Sequence, residues 1–215
     1  MELSLAPELA GRVRVGLFAL EGVSVREADP ALASEVDAHC AELRSQFGAG
    51  RSAEVPGTGA ARDLYKALGL DPTKYRPSSE ALLRRALKGE PLYRINTLVD
   101  ALNLASLRFQ LPFGLYDLDR IEPPVALRKG LPGESYEGIR KGEIHVEGRP
   151  VLADARGPFG NPTSDSARSM ITLATTRALV VAYAPASIGA ARLDEVLDGT
   201  AQLLMRFCGG SRATS

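Results

Sequence analysis

Asn96, Asp100 and Asn103 stand at spacings of four and three in the run INTLVDALNLASLRF. At about 100° per residue on a helix, these spacings form a polar stripe roughly 60° wide. It flanks an apolar face made of Ile95, Leu98, Val99, Leu102, Ala105 and Phe109. A solvent-facing stripe usually carries Lys, Glu or Arg, whose long stems suit water. Two amides and a carboxylate beside a core are instead placed to hydrogen-bond something polar. A second cluster, Thr163, Ser164 and Asp165 with Arg168 just beyond, lies in and after RGPFGNPTSDS (156–166), where Gly and Pro permit tight turns. The chemistry open to such groups is orientation of a substrate and a water by hydrogen bonds, with little formal acid–base machinery. A plainer alternative stays open beside it. Asp100 and Asn103 would then cap neighbouring backbone or pair with Arg94 or Arg108, and Arg168 would make a local ion pair with Asp165.

Other chemistries lack their residues. The two histidines, His39 and His145, stand alone, and Cys40 and Cys208 are far apart in no ligand spacing. Zinc and two-histidine helix sites have no support, so no metal and no other cofactor is expected. There is no GxxxxGK[ST], no GxGxxG after a strand and no GxSxG elbow. Each cysteine falls on the apolar stripe of an expected helix and reads as a buried thiol.

The elements that must position the two clusters follow from periodicity and punctuation. Met1 to Gly11 reads as a loose lead-in, and Arg12 to Val25 as one or two strands. Asp29-Pro30 starts a helix that ends at Gly48. Residues 49–58 read as a loop, and a short helix runs from Ala60 to Leu68. Ser78 is the expected N-cap of a helix over Ser79 to Leu87, and the polar stripe rides on a helix from Ile95 to Phe109. Phe113 to Tyr116 is a short strand delivering Asp117. Short strands follow at Val125–Leu127, Gly142–Val146 and Val151–Ala153, between dense Gly and Pro punctuation. ALVVAYAP, ending at Pro185, reads as a buried strand, and Ile188 to Cys208 as a last amphipathic helix. A helical half followed by a β-rich half without regular alternation predicts an α+β fold. The expected organisation is an N-terminal extension over 1–70, a main domain over 71–210 and a tail over 211–215.

The chain has 215 residues and zero formal net charge. That suits a soluble globular protein with one main core, and argues against a broadly basic surface for DNA or any other nucleic acid, while leaving room for a local patch. Charge is nonetheless uneven. Arg51 to Arg94 carries nine basic and five acidic residues, a net +4 balanced elsewhere. Arg84, Arg85 and Lys88 suit the C-terminal end of their helix, where cations favour the dipole. No segment has a signal-peptide pattern or membrane-spanning length, so the expectation is a cytoplasmic protein without a membrane partner.

RPSSEALLRRALKG (76–89) and INTLVDALNLASLRFQLPFGLYDLD (95–119) resemble proteins related to the editing domain of the phenylalanyl-tRNA synthetase beta subunit. That domain hydrolyses tyrosine wrongly attached to the tRNA for phenylalanine. Its signature, Asn-Val-Val-Asp-x-x-Asn and then Pro-x-His-x-Phe-Asp, is matched by Asn96, Val99, Asp100, Asn103, Pro112, Tyr116 and Asp117. LRKGLPGESY (127–136) matches a basic–Gly–Glu strand pair with Glu134 as the acidic position. The run 151–185 resembles the stand-alone branch. The likeness covers roughly Asp71 to Pro185. Gly114 stands where the signature has histidine, and is expected to open the pocket there.

The resemblance implies a three-layer β/β/α sandwich and an aminoacyl-tRNA deacylase acting in trans. Asn96 and Asp165 would serve catalysis. Asp100, Asn103, Gly114, Glu134, Thr163, Ser164 and Arg168 would bind the substrate. Arg76, Arg84 and Arg85 would touch tRNA phosphates. The alternatives are a non-catalytic module that binds tRNA or a small amino-acid ligand, and an enzyme acting on a small ester or amide unrelated to tRNA.

Overall fold

The computed structural model describes residues 2–48 and 52–213. In chain order its regular elements are β1 (Leu3–Leu5), β2 (Val13–Glu21), α1 (Pro30–Phe47), α2 (Thr58–Ala67), α3 (Ser78–Lys88), α4 (Thr97–Phe109), β3 (Phe113–Asp117), β4 (Val125–Lys129), β5 (Ser135–Gly138), β6 (Gly142–His145), β7 (Pro150–Asp154), β8 (Gly157–Gly160), β9 (Arg177–Pro185), α5 (Ala190–Cys208) and β10 (Ser211–Arg212). The fold is mixed α+β. One sheet has the order β10-β2-β9-β3, a second β1-β4-β7-β8, and β5-β6 form a hairpin.

Strand β9 is central because it can be buried on both faces. It pairs antiparallel with β2 along one edge and with β3 along the other. Alternate side chains along a strand point to opposite faces. Here Leu179, Val181 and Tyr183 join one hydrophobic core, whereas Ala178, Val180, Ala182 and Ala184 join the other. The second core also holds Leu83, Leu98, Leu102, Leu104, Leu193 and Leu204, from α3, α4 and α5. The first holds Leu64 and Tyr65 of α2 together with Val125, Leu127, Leu152 and Phe159 of the second sheet. The residue run that alternates least in polarity thus separates two cores.

Helix starts obey local chemistry. The Asp29 carboxylate accepts the Leu32 amide at 3.0 Å, and proline follows as the first helical residue. Two short strands and one side chain, among others, depart from expectation. The lead-in contains β1, which pairs parallel with β4, Leu3 opposite Val125. The run expected to be loop from Arg156 opens with β8, paired with β7. Ile95 is 49% exposed rather than packed, because the helix begins two residues later.

The segment 1–70 supplies β1 and β2, one strand to each four-stranded sheet. Of the loop expected over 49–58, residues 49–51 lie outside the described residues, and Ser52–Glu54 form a single 3-10 turn. Within the expected tail, Ser211 and Arg212 pair with Glu21 and Leu20, while 214 and 215 lie outside the described residues. Cys40 is half-buried and Cys208 buried, both as free thiols.

Candidate functional site

A cavity of ≈ 170 Å³ lies where α3, α4 and the start of β3 meet the loop 161–165. Ser78 and Leu82 come from α3; Leu102, Asn103 and Ser106 from α4; Phe113 from β3; Asn161, Pro162, Thr163, Ser164 and Asp165 from the loop. Its volume resembles that of an engineered apolar cavity of about 150 Å³ that admits benzene, so it has room for a group about the size of one aromatic ring. Unlike that cavity it is ringed by hydroxyls, amides and one carboxyl. On α4, Asn103 and Ser106 are one turn apart and so face the same way. The Ser106 hydroxyl donates to the Leu111 carbonyl at 2.8 Å, which leaves its lone pairs free to accept.

The loop is held in shape from both sides. Asn161 Oδ1 accepts the amides of Thr163 and Ser164, each at 2.8 Å, closing an Asx turn around Pro162. The Tyr65 hydroxyl donates to the Pro162 carbonyl at 2.8 Å and meets Thr163 Oγ1 at 3.1 Å. The Tyr136 hydroxyl donates to the Ser164 carbonyl at 2.7 Å and accepts from Asn161 Nδ2 at 2.8 Å. Lys141 Nζ donates to Ser164 Oγ at 3.0 Å. Burial pushes the Tyr65 hydroxyl up to about 12 and raises Tyr136 as well, so both remain neutral donors at ordinary pH. A loop rich in Gly and Pro is thereby made a fixed wall.

Two side-chain oxygens among the cavity's lining residues, Asp165 Oδ1 and Ser78 Oγ, are buried without a hydrogen-bond partner. An unsatisfied buried polar group costs about 1–3 kcal/mol, so a ligand that satisfies both would recover that cost. Burial is the dominant influence on Asp165. It pushes the carboxyl up to about 7, against the Tyr116 hydroxyl, the Lys141 ammonium and the Leu115 amide, which favour the ionised form. A carboxyl titrating near neutrality can take a proton from water and return it within one turnover.

The residues expected from the sequence divide into two sets. Asn103, Thr163, Ser164 and Asp165 share the cavity. The others have different positions. Asn96 is the N-cap of α4, its Oδ1 accepting the Val99 amide at 3.0 Å. Asp100 accepts the Ile95 amide at 3.0 Å, so both side chains hold backbone at the helix start. Replacing Asn96 with Ala is expected to cost about 1 kcal/mol in urea unfolding through loss of that cap. Neither residue lines the cavity.

Gly114 is buried and opens no space, because a Cβ there would overlap the Tyr116 hydroxyl. Glu134 is held by Arg128 in a two-pronged pair at 2.7 and 2.8 Å and accepts the Leu131 amide. Arg168 does not face Asp165. It pairs with Asp154 through two bonds, at 2.9 and 3.0 Å, and donates to the Arg120 carbonyl. Arg85 is engaged by Glu90, the Pro91 carbonyl and the Tyr93 ring, 4.3 Å away. Arg76 is exposed and Arg84 half-buried. Arg84 lies about 200° around α3 from the cavity-lining Leu82, on the far face.

Sequence reasoning missed Ser78, Ser106 and Asn161. Ser106 was discoverable as the residue one turn beyond Asn103. Asn161 was discoverable as the Asx residue preceding Pro-Thr-Ser. The sequence marks Ser78 as an N-cap, but α3 starts at Ser78 itself with Pro77 in the cap position, which leaves the hydroxyl without that role. Among the described residues no helix is long and apolar enough to cross a membrane, and no group of three or more His, Cys, Asp or Glu side chains is placed to hold a metal ion.

The family model of the B3/4 domain matches residues 60–209, which take in every cavity-lining residue. No curated protein matches the chain. Among solved structures the chain is similar to an N-terminal fragment of the phenylalanyl-tRNA synthetase beta subunit from Pyrococcus horikoshii, with a TM-score of 0.50 and 12% sequence identity. The match covers 99% of this chain and 50% of that one, so the chain spans about half the length of the fragment. At that identity the likeness is one of fold.

Proposed function

The chain belongs to the B3/4 domain family, and from that membership and its cavity we propose that it binds the aminoacyl group of a mischarged tRNA and hydrolyses the ester in trans. The observation that carries this reading is one small polar cavity whose lining residues include Asp165 and Ser78, each with a buried side-chain oxygen that lacks a hydrogen-bond partner. The similar solved structure is a fragment of a phenylalanyl-tRNA synthetase subunit, which supports tRNA and an amino acid as the substrate class. The proposal includes a stacking of the two four-stranded sheets and the helices as a three-layer sandwich.

In the proposed reaction the Asp165 carboxylate takes a proton from a water as its oxygen attacks the ester carbonyl carbon. The bond to the ribose oxygen breaks, and the proton held by Asp165 passes to that leaving oxygen. The free amino acid and the uncharged tRNA depart. The Asn103 amide, which is not bonded to another side chain among the described residues, donates to the carbonyl oxygen as it gains charge. The Ser78 and Ser106 hydroxyls accept from the substrate ammonium group. Pro162, Leu82, Leu102 and Phe113 limit the size of the side chain admitted.

The test is a panel of purified mischarged tRNAs, including the phenylalanine tRNA carrying tyrosine, incubated with the purified chain. Release of amino acid above the buffer rate supports the proposal. A second reading, a non-catalytic amino-acid or tRNA binder, is favoured by one observation: Asp165 is the only ionisable side chain on the cavity wall among the described residues. Saturable binding in calorimetry without turnover would select it, and absence of both binding and turnover would remove both readings.

Phosphate contacts make RNA affinity depend on salt, each contributing about 0.7–0.9 to the slope of log K against log salt. Arg76, two residues before Ser78, is the exposed one of the three proposed contacts. Arg76→Ala is expected to reduce the salt slope of tRNA binding by about 0.7–0.9. Arg85→Ala should leave it unchanged, since the Arg85 guanidinium is already engaged by Glu90, Pro91 and Tyr93.

A further inference from the structure

Tyr116 and Tyr183 are fully buried, and the hydroxyls of the two lie 3.3 Å apart beneath the cavity loop. Two buried phenols need a reason to be Tyr rather than Phe, since each hydroxyl must be desolvated. Tyr116 sits two residues after Gly114 on β3, so both point to the same sheet face. Its ring leans back over the glycine, and its hydroxyl occupies the space where a side chain at 114 would begin. Gly160 presses on the same hydroxyl from the other side, because a Cβ there would also overlap it. Gly160 is bridged to Asp165. Phe159 packs edge-on against the Tyr116 ring, with centroids 4.9 Å apart. Two glycines and an aromatic edge therefore fix one hydroxyl beside the Asp165 carboxyl.

The geometry points to Tyr116 as a positioning residue for Asp165: its hydroxyl, braced by Tyr183, orients the carboxyl toward the cavity. This rests on the reading of Asp165 as the group that handles the proton. The titratable groups that interact electrostatically with Asp165 are Tyr116 from β3, Tyr183 from β9, Tyr136 from β5, Tyr65 from α2 and Lys141 from the turn between β5 and β6. Burial raises all four phenols, so none carries charge at neutral pH and Lys141 is the one cation among these neighbours. Asp165 is then the member of the cluster that changes protonation near pH 7, and the neutral Tyr116 O–H beside it is able to donate to it. A hydrogen bond to the ionised form lowers a carboxyl's pKa.

The test is carbon-13 NMR of the whole chain labelled at aspartate Cγ, with the Asp165 resonance identified by its loss in Asp165→Asn. The wild-type resonance should titrate near pH 7. Tyr116→Phe keeps the ring and should raise the midpoint by about one unit, the size of one hydrogen bond's preference for the charged form. A folded Tyr116→Phe chain with an unchanged midpoint overturns the proposal. A readout on the wild type guards against a variant that does not fold. In tyrosine-labelled chain the Tyr116 hydroxyl proton should shift with the same midpoint as the Asp165 carboxyl, and a hydroxyl signal constant from pH 5 to 9 overturns it. No tRNA enters either measurement, so an inactive protein that shows the coupled titration refutes the deacylase reading alone. An active protein without the coupling refutes only the role of Tyr116.

Discussion

Asp165→Asn is expected to reduce ester hydrolysis by about 10²–10⁴-fold, the usual contribution of a positioned base, and to stabilise the folded chain above pH 7. Both effects come from one buried carboxyl. Its pKa is near 7 in the folded protein and about 3.9 in an unfolded chain. Between those values the native state binds a proton that the unfolded state has lost. Stability contributed by this group is therefore full below pH 4, falls as pH rises toward 7, and stays low above it. A gap of three units corresponds to a ceiling of roughly 4 kcal/mol at pH 8. Carboxylates held below their ordinary range, such as Asp154 and Glu134, act in the opposite sense and lose stability as pH falls. The decisive quantity is thus the difference between the Asn variant and the wild type in urea unfolding at pH 5, 6, 7 and 8. It should grow with pH in favour of the variant. Two curves that run parallel from pH 5 to 8 would show that Asp165 ionises as an ordinary surface carboxyl, without the raised pKa on which the proton transfer is argued.

Such an outcome has a general sense. A site that keeps a carboxyl buried without a full set of partners stores a cost in the empty protein, and removing the cost removes the chemistry. The same logic explains what the sequence revealed and what it hid. The long helices were legible because their ends follow local chemistry, as at Asp29-Pro30, and because their apolar positions recur at helical spacing. The central strand was legible because ALVVAYAP has no charged side chain to place. Strands β1 and β8 were not, since each is only three or four residues long and exists through its partner, β4 or β7. Part of the cavity lining was likewise legible. Asn103 and the Thr163–Asp165 run were singled out by residue type alone. Asn96 and Asp100 were singled out by the same pattern but serve the helix start, because short polar side chains three to five residues apart suit both a cap and a ligand. The resemblance marked Gly114 as a gap left by a missing histidine. Only the packing shows that Tyr116, on the same face of the strand, fills it.

Breaking the Arg168–Asp154 pair is expected to be the most destabilising single change near the site. The Asp154 side chain is fully buried and that of Arg168 is 21% exposed. Burial opposes the Asp154 charge. Arg168 and the amides of Glu122 and Arg156, both at 2.9 Å, outweigh that opposition and hold the carboxyl below its usual range. Arg168→Ala leaves this carboxylate buried without its cation. Losing one partner of a buried pair costs about 3–5 kcal/mol, and the partial exposure of Arg168 places the expected loss near 3 kcal/mol. Arg168→Lys should recover only part of it, because an ammonium cannot make the two-pronged contact. Asp154→Ala strands the guanidinium and two amides, and should cost at least as much. In the double variant Asp154→Ala/Arg168→Ala neither charge is left alone, so its loss should be smaller than the two single losses together. Urea unfolding at pH 7 of the four chains closes this cycle. Strictly additive losses would mean that the pair is not coupled. Arg168 also ties the turn that follows the cavity loop to β7 and to the Arg120 carbonyl. The single variants should therefore weaken ligand binding at the cavity as well, by freeing the segment that presents Asp165, without changing any group on the cavity wall.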